Sequence, residues 1–198
     1  MELNIIYTKE SERARLKFTF DNLDFYREQN HLLNLPSGID VNDFNLQGAV
    51  LIADEDFPSK LVLEAKESIL TGWEKYHDSI MQYFQSLTFV VPNSLGLILT
   101  QYGGGGSYNV DACEVTINVN FKADPLSILI HEITHILVDP GLVNKFDLNH
   151  EEKENLIKWL ITNDQNLSKF IEVPTKSPIN QPPRVVTEEL RSRGYKSN

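Results

Sequence analysis

Asp124-Pro125-Leu126-Ser127-Ile128-Leu129-Ile130-His131-Glu132-Ile133-Thr134-His135-Ile136-Leu137-Val138-Asp139-Pro140 is the stretch around which the rest of the chain is read. It has the signals of a helix. Asp124 is a good N-cap, and Pro125 suits the first helical position, where a missing N–H does no harm. Leu126, Ile128, Leu129, Ile130, Ile133, Ile136, Leu137 and Val138 make it apolar on nearly all sides, which predicts a buried central helix. Pro140 and Gly141 are expected to stop it.

Within that helix stands His131-Glu132-Ile133-Thr134-His135. Positions i and i+4 lie one turn apart on the same face, so both imidazoles can aim a nitrogen at one ion. Zinc takes neutral imidazole nitrogen at ~2.0–2.1 Å and accepts three protein ligands plus water. Glu132 lies about 100° round the helix from His131. It can reach water at the ion without being a ligand, and take its proton. The competing reading is a buried helix whose histidines are merely hydrogen-bonded. Unpaired polar groups in so apolar a helix are costly, which favours the metal.

The chain has 198 residues, 41% of them hydrophobic, enough for one domain with a real core. Residues 1–173 are expected to form that single domain, and 174–198, with four prolines among polar residues, a C-terminal tail or surface arm. The formal charge of −10 argues against a nucleic-acid surface and against anionic membrane. Cys113 is the sole cysteine, which excludes an internal disulfide and points to a reducing compartment. The N-terminus lacks a basic region followed by a long apolar run, and no segment approaches a membrane span, so a cytoplasmic protein is expected.

In chain order, Leu3 to Tyr7 and the alternating Arg15 to Phe20 read as strands, and Asp21 to Asn30 as a helix. Gly48 to Ala53 reads as a buried strand ended by the solvated Asp54-Glu55-Asp56. Pro58 to Leu70 and Gly72 to Ser86 read as two amphipathic helices, or one kinked near Gly72. His31 and His77 read as surface residues. Leu87 to Val91 and Leu95 to Tyr102 read as strands. Gly103-Gly104-Gly105-Gly106-Ser107-Tyr108 lacks the spacing of a phosphate loop. It is either a flexible hairpin tip or a sheet edge left accessible beside the metal, with Gly105, Ser107 and Tyr108 as candidate substrate-binding residues. Glu114 to Asn120 alternates as a strand leading into the metal helix. A second helix opens at Asn149, with Glu152 in the capping-box position, and runs to about Thr162. Leu167 to Val173 reads as a short helix.

Candidates for a third ligand are Asp139, His150, Glu151, Glu152 and Glu154. Leu156, Ile157, Leu160 and Ile161 define the buried face of the second helix, and Glu154 lies about 20° from Ile161 at its edge. Glu151 and Glu152 point away and suit the helix N-terminus. Glu154 is therefore preferred. His150 is the next candidate ligand, or a donor to a transition-state oxyanion. Asp139 is better placed to hold a histidine in its tautomer than to ligate.

His131-Glu132-x-x-His135 followed by Glu154 on a later helix resembles the gluzincin group of zinc metallopeptidases. The stretch from Tyr102 to Glu154 also resembles small bacterial zincin-like proteins with a Gly-Gly-Ser-Tyr strand before the metal helix. Larger gluzincins commonly carry Asn-Glu-x-x-x-Asp at the third ligand, whereas Lys153-Glu154-Asn155 stands alone here. The resemblance implies zinc held by His131, His135 and Glu154, with Glu132 as general base and a peptide paired to an edge strand near Leu99 to Tyr108. The implied fold is α+β and zincin-like: a twisted, mostly antiparallel sheet packed on the central metal helix, with further helices. The implied function is hydrolysis of peptide or protein substrates, with Tyr102, Tyr108, His150 and Tyr195 as candidate oxyanion donors. The alternative is a zinc-binding scaffold without turnover that recognises a protein partner through a sheet edge.

Overall fold

The computed structural model describes residues 1–28, 30–163 and 180–195. In chain order these form β1 (Glu2–Ile6), α1 (Lys9–Asp21), α2 (Leu23–Glu28), α3 (Leu46–Glu55), α4 (Lys60–Ser86), β2 (Ser94–Thr100), β3 (Gly106–Asn109), β4 (Glu114–Asn118), α5 (Pro125–Val138), α6 (Asn144–Phe146), α7 (His150–Asn163) and α8 (Arg184–Ser192). A wide π-type turn, Asp139–Val143, joins α5 to α6. The expected short helix at 167–173 lies outside the described residues.

The class is α+β, but the sheet corrects the expectation of mostly antiparallel strands. Its order is β1-β2-β4-β3. The pairs β1–β2 and β2–β4 are parallel, and only β3–β4 is antiparallel. The sheet is mixed because parallel neighbours need a long crossover. Helices α1 to α4 supply one between β1 and β2; the glycine loop and β3 supply the other between β2 and β4. Leu95, Leu97, Leu99, Val115 and Ile117 are buried in one core with Ile69 and Ile80 of α4 and Leu129, Ile130 and Ile133 of α5. On the sheet's other face lies α1, and β3 is left as an edge strand.

Three predicted strands are absent. Arg15 to Phe20 lies in α1. Thr8 caps that helix: its Oγ1 accepts from Ser11 N at 3.1 Å while its own N–H donates to Ser11 Oγ at 3.0 Å. In the helix Leu16 faces the core and Phe18 and Phe20 stay exposed, so the alternation arises from two surface aromatics. Gly48 to Ala53 belongs to α3, capped by Asn45, whose Oδ1 accepts from Gly48 N at 3.2 Å. Ala49 and Ala53, four residues apart, face inward. At 87–91 the chain forms no strand; Leu87 and Phe89 are buried, and Thr88 between them has φ 58°. The two expected helices from 58 to 86 are the single helix α4.

Helix α5 begins as expected, with Asp124 Oδ2 accepting from Ser127 N at 2.9 Å. It does not stop at Pro140. The chain widens through the π-type turn, where Asn144 N bonds Asp139 O, and α6 ends at Asp147 with left-handed φ 49°. The continuous run Pro125–Phe146 is long and apolar enough to cross a bilayer by composition, but 67% of its most apolar window is buried inside the molecule. It is the core helix. The segment read as a proline-rich arm also contains α8, whose Val186 and Leu190 are fully buried in the main core.

Candidate metal centre

Helices α5 and α7 converge at three side chains. His131 and His135 share a face of α5, one turn apart. The start of α7 is fixed by the expected capping box: Glu152 N donates to Asn149 Oδ1 at 3.1 Å, and Asn149 N to Glu152 Oε2 at 3.0 Å. That start points Glu154, one residue into the second turn of the apolar face, toward α5. His131 Nε2 lies 3.2 Å from His135 Nε2 and 3.4 Å from Glu154 Oε2, and His135 Nε2 lies 3.1 Å from Glu154 Oε1. Donor atoms bound to one tetrahedral ion at ~2.0–2.1 Å stand ~3.3–3.4 Å apart. The three observed separations bracket that value, and these residues could hold a metal ion.

The back of the site agrees. His135 Nδ1 and Asp139 Oδ1 are buried atoms without a hydrogen bond, and they face each other at 3.7 Å. A small closure would form Nδ1–H···Oδ1, the tautomer that leaves Nε2 free for a metal. The π-type turn puts Asp139 there, behind the ligand ring and not on the ligand side. Tyr108 adds a second support. Its ring stacks on His135 at 4.5 Å and 5°, its hydroxyl donates to Asp139 Oδ2 at 2.6 Å, and Lys153 Nζ donates to that hydroxyl at 2.6 Å. Burial, with the Asp139 carboxylate next, pushes the Tyr108 phenol well above its usual range, so it stays a neutral donor.

The electrostatics follow from this crowding. Burial opposes ionisation of Glu154, but the two imidazoles outweigh it and hold the carboxyl well below the usual range. Burial likewise opposes the charged form of His135, yet Asp139 and Glu154 raise its pKa. Glu132 is 8% exposed. Burial raises its pKa, while His131, His135 and Arg15 pull it back. A carboxylate raised in this way is a better proton acceptor at neutral pH than a solvated one.

Glu132 is placed by the glycine loop. A Cβ on Gly106 would collide with Glu132 Oε1 and stand 2.8 Å from Ile128 Cγ2, so only glycine lets β3 lie against the carboxylate. The loop is pinned and is not a flexible tip. Gln101 N donates to Glu12 Oε1 at 2.9 Å, Gly103 exchanges two backbone bonds with Asn34, and Arg15 donates to Gly104 O and Ser107 Oγ at 3.1 Å each. Gly103 has φ +88°, and a Cβ there would meet Arg15 Nε at 2.6 Å. Glu12 is 1% exposed. Burial raises its pKa to about 7, against the pull of the Gln101 amide and Arg15.

The site opens into a cleft of about 640 Å³. Gly105, Ser107 and Tyr108 of the predicted substrate set line it, and so does His150. The side chains of Ser107 and Tyr108 are already engaged, by Arg15 and by Asp139 with Lys153. Tyr102 and Tyr195 are not among the cleft residues: Tyr102 donates to Asp56 at 3.1 Å, and Tyr195 packs on Trp159. His31 is exposed, as expected, but at the cleft wall beside Phe25 and Tyr26. His77 is half-buried and bonds the N-terminal amine and Asp78. Sequence reasoning missed Arg15, which sits in α1 far from the motif, and missed Lys153. The i−1 relation of Lys153 to Glu154 was its only signal. No family model, curated protein or solved structure matches this chain.

Proposed function

We propose that this protein is a zinc-dependent peptidase of the zincin type. The observation that carries the reading is a buried non-ligand carboxylate, Glu132, beside three side chains that converge at metal-ligand spacing in an open cleft. A structural metal site is closed by four protein ligands and has no use for such a carboxylate. Two imidazoles and one carboxylate suit zinc, which bound there would polarise a carbonyl and acidify water.

The chain's own residues supply the rest. His131, His135 and Glu154 would hold the ion. Asp139 and Tyr108 fix the His135 ring from behind. Glu132 takes a proton from the attacking water and delivers it to the leaving amine nitrogen. Of the candidate donors to the carbonyl oxygen, His150 lines the cleft and, among the described residues, its side chain makes no hydrogen bond to the other site residues, so it is assigned that role. The substrate backbone is held by β3. Gly105 O is bonded to Asn118 N at 2.8 Å, so antiparallel alternation assigns the ladder bonds to Ser107 and Asn109. The N–H and C=O groups of Gly106 and Tyr108 then face outward along the sheet edge, ready for an extended peptide.

The same edge would serve a zinc-binding module that recognises a partner without turnover, and Glu132 separates the two readings. The test is a peptide-library digestion with zinc-loaded wild type and Glu132→Gln, read by mass spectrometry together with zinc content. The peptidase reading expects cleavage by the wild type and its loss in a variant that keeps its zinc. Cleavage untouched by the substitution would refute the role given to Glu132.

A further inference from the structure

A second, smaller cavity of about 330 Å³ adjoins the metal cleft and shares Gly105, Gly106, Phe121, His131, Glu132 and Lys158 with it. Its remaining walls are mainly apolar, Ala123, Ile128 and Ile161 beside Ser127. It opens directly at Glu132, so the side chain that enters it belongs to the residue next to the bond being cut. The volume admits a leucine or phenylalanine side chain, and the charged groups His131, Glu132 and Lys158 are those it shares with the cleft.

Lys158 stands at the lip of both cavities. Among the described residues it has no hydrogen bond or ion pair from its ammonium, whereas Lys153, the other cleft lysine, is held by Tyr108 with Asp139 at 4.0 Å. Lys158 is four residues after Glu154 on α7, one turn along the same face, a rise of ~6 Å. A cation without a partner among the described residues, in a chain of net charge −10, is where a substrate carboxylate would be received.

We propose that Lys158 binds the α-carboxylate of a substrate's C-terminal residue while the Phe121–Ile128–Ile161 pocket takes its apolar side chain, so that the enzyme releases single apolar residues from peptide C-termini. This rests on the peptidase reading above. The step is hydrolysis. The C–N bond before the last residue breaks, water oxygen joins the acyl carbon, and a water proton goes to the leaving amine, with no change of oxidation state.

The test uses N-acetylated hexapeptides ending in Leu, Phe, Asp or Lys, each as free acid and as amide, with zinc-loaded wild type and Lys158→Gln. Lys158 is exposed, so its substitution leaves the core untouched. The proposal expects release of terminal Leu or Phe, a kcat/KM about 10–100-fold higher for acid than amide, and an acid-to-amide ratio near one in Lys158→Gln. Equal rates for acid and amide in the wild type, or a ratio unchanged by Lys158→Gln, would overturn it. So would an Asp-terminated amide cleaved as fast as the Leu-terminated acid, which would show Lys158 reading a side-chain carboxylate. Dissociation constants of the same peptides for zinc-loaded Glu132→Gln separate the two layers. If nothing is cleaved but acids still bind more tightly than amides through Lys158, the peptidase reading fails and the carboxylate site stands; if acids and amides bind alike, the carboxylate site fails.

Discussion

Gly106→Ala is the sharpest perturbation of the geometry around Glu132. The added Cβ would overlap Glu132 Oε1 and stand 2.8 Å from Ile128 Cγ2 and 3.0 Å from Glu132 Cδ. Either β3 moves away from α5 or the carboxylate turns aside. Overpacking of this kind costs about 1–3 kcal/mol, which for a chain of this size lowers Tm by roughly 2–12 °C at ~2–4 °C per kcal/mol. A shift of the carboxylate by ~1 Å costs catalysis about 100-fold. His131, His135 and Glu154 come from α5 and α7, so zinc content should persist. Differential scanning calorimetry, zinc analysis and kcat/KM on a peptide substrate read the three effects separately. A variant with the wild-type Tm and wild-type turnover would refute the claim that glycine at 106 sets the position of Glu132.

Tyr108→Phe keeps the ring stacked on His135 and removes the hydroxyl shared by Asp139 and Lys153; zinc affinity should fall about 10–100-fold in a chelator competition, as for other outer partners of a metal ligand. Glu12→Gln tests the buried carboxyl under the glycine loop. Its folded pKa of about 7 exceeds the unfolded 4.5, so the stability tied to this proton is complete below pH 4.5 and is lost as pH rises through 7. The wild type should lose on the order of 3 kcal/mol across that window, and Glu12→Gln should flatten that part of the curve in urea titrations at pH 5 and pH 8. Arg15→Met breaks the bonds to Gly104 O and Ser107 Oγ; it should lower stability by about 1.5–3 kcal/mol in urea titrations, the scale of a hydrogen bond from a charged group.

Helix α5 was legible because its signals are local and agree: an Asp cap, a proline at the first position, an apolar surround and two histidines at i and i+4. Glu154 was legible because helical phase alone separates it from Glu151 and Glu152. The mixed sheet was not. Pairing direction depends on crossovers, and β1 meets β2 only after four helices. The short apolar run at 48–53 has no period of its own, so the Asn45 cap decided for helix. In α1, two exposed phenylalanines imitated a strand. Buried Glu12 and Arg15 were invisible for a different reason: nothing local to them signals that the glycine loop, about ninety residues away, will supply their partners.

On the proposed reading, His131, His135 and Glu154 meet at one ion while Glu132 stands beside it without binding. The direct test is a zinc titration of the metal-free chain against a chelator, in wild type, His135→Ala, Glu154→Ala and Glu132→Gln. One zinc per chain is expected, with affinity kept in Glu132→Gln and weakened in the other two by more than the ~10–100-fold typical of outer partners. No stoichiometric zinc in the wild type, or equal affinity in all four, would contradict it.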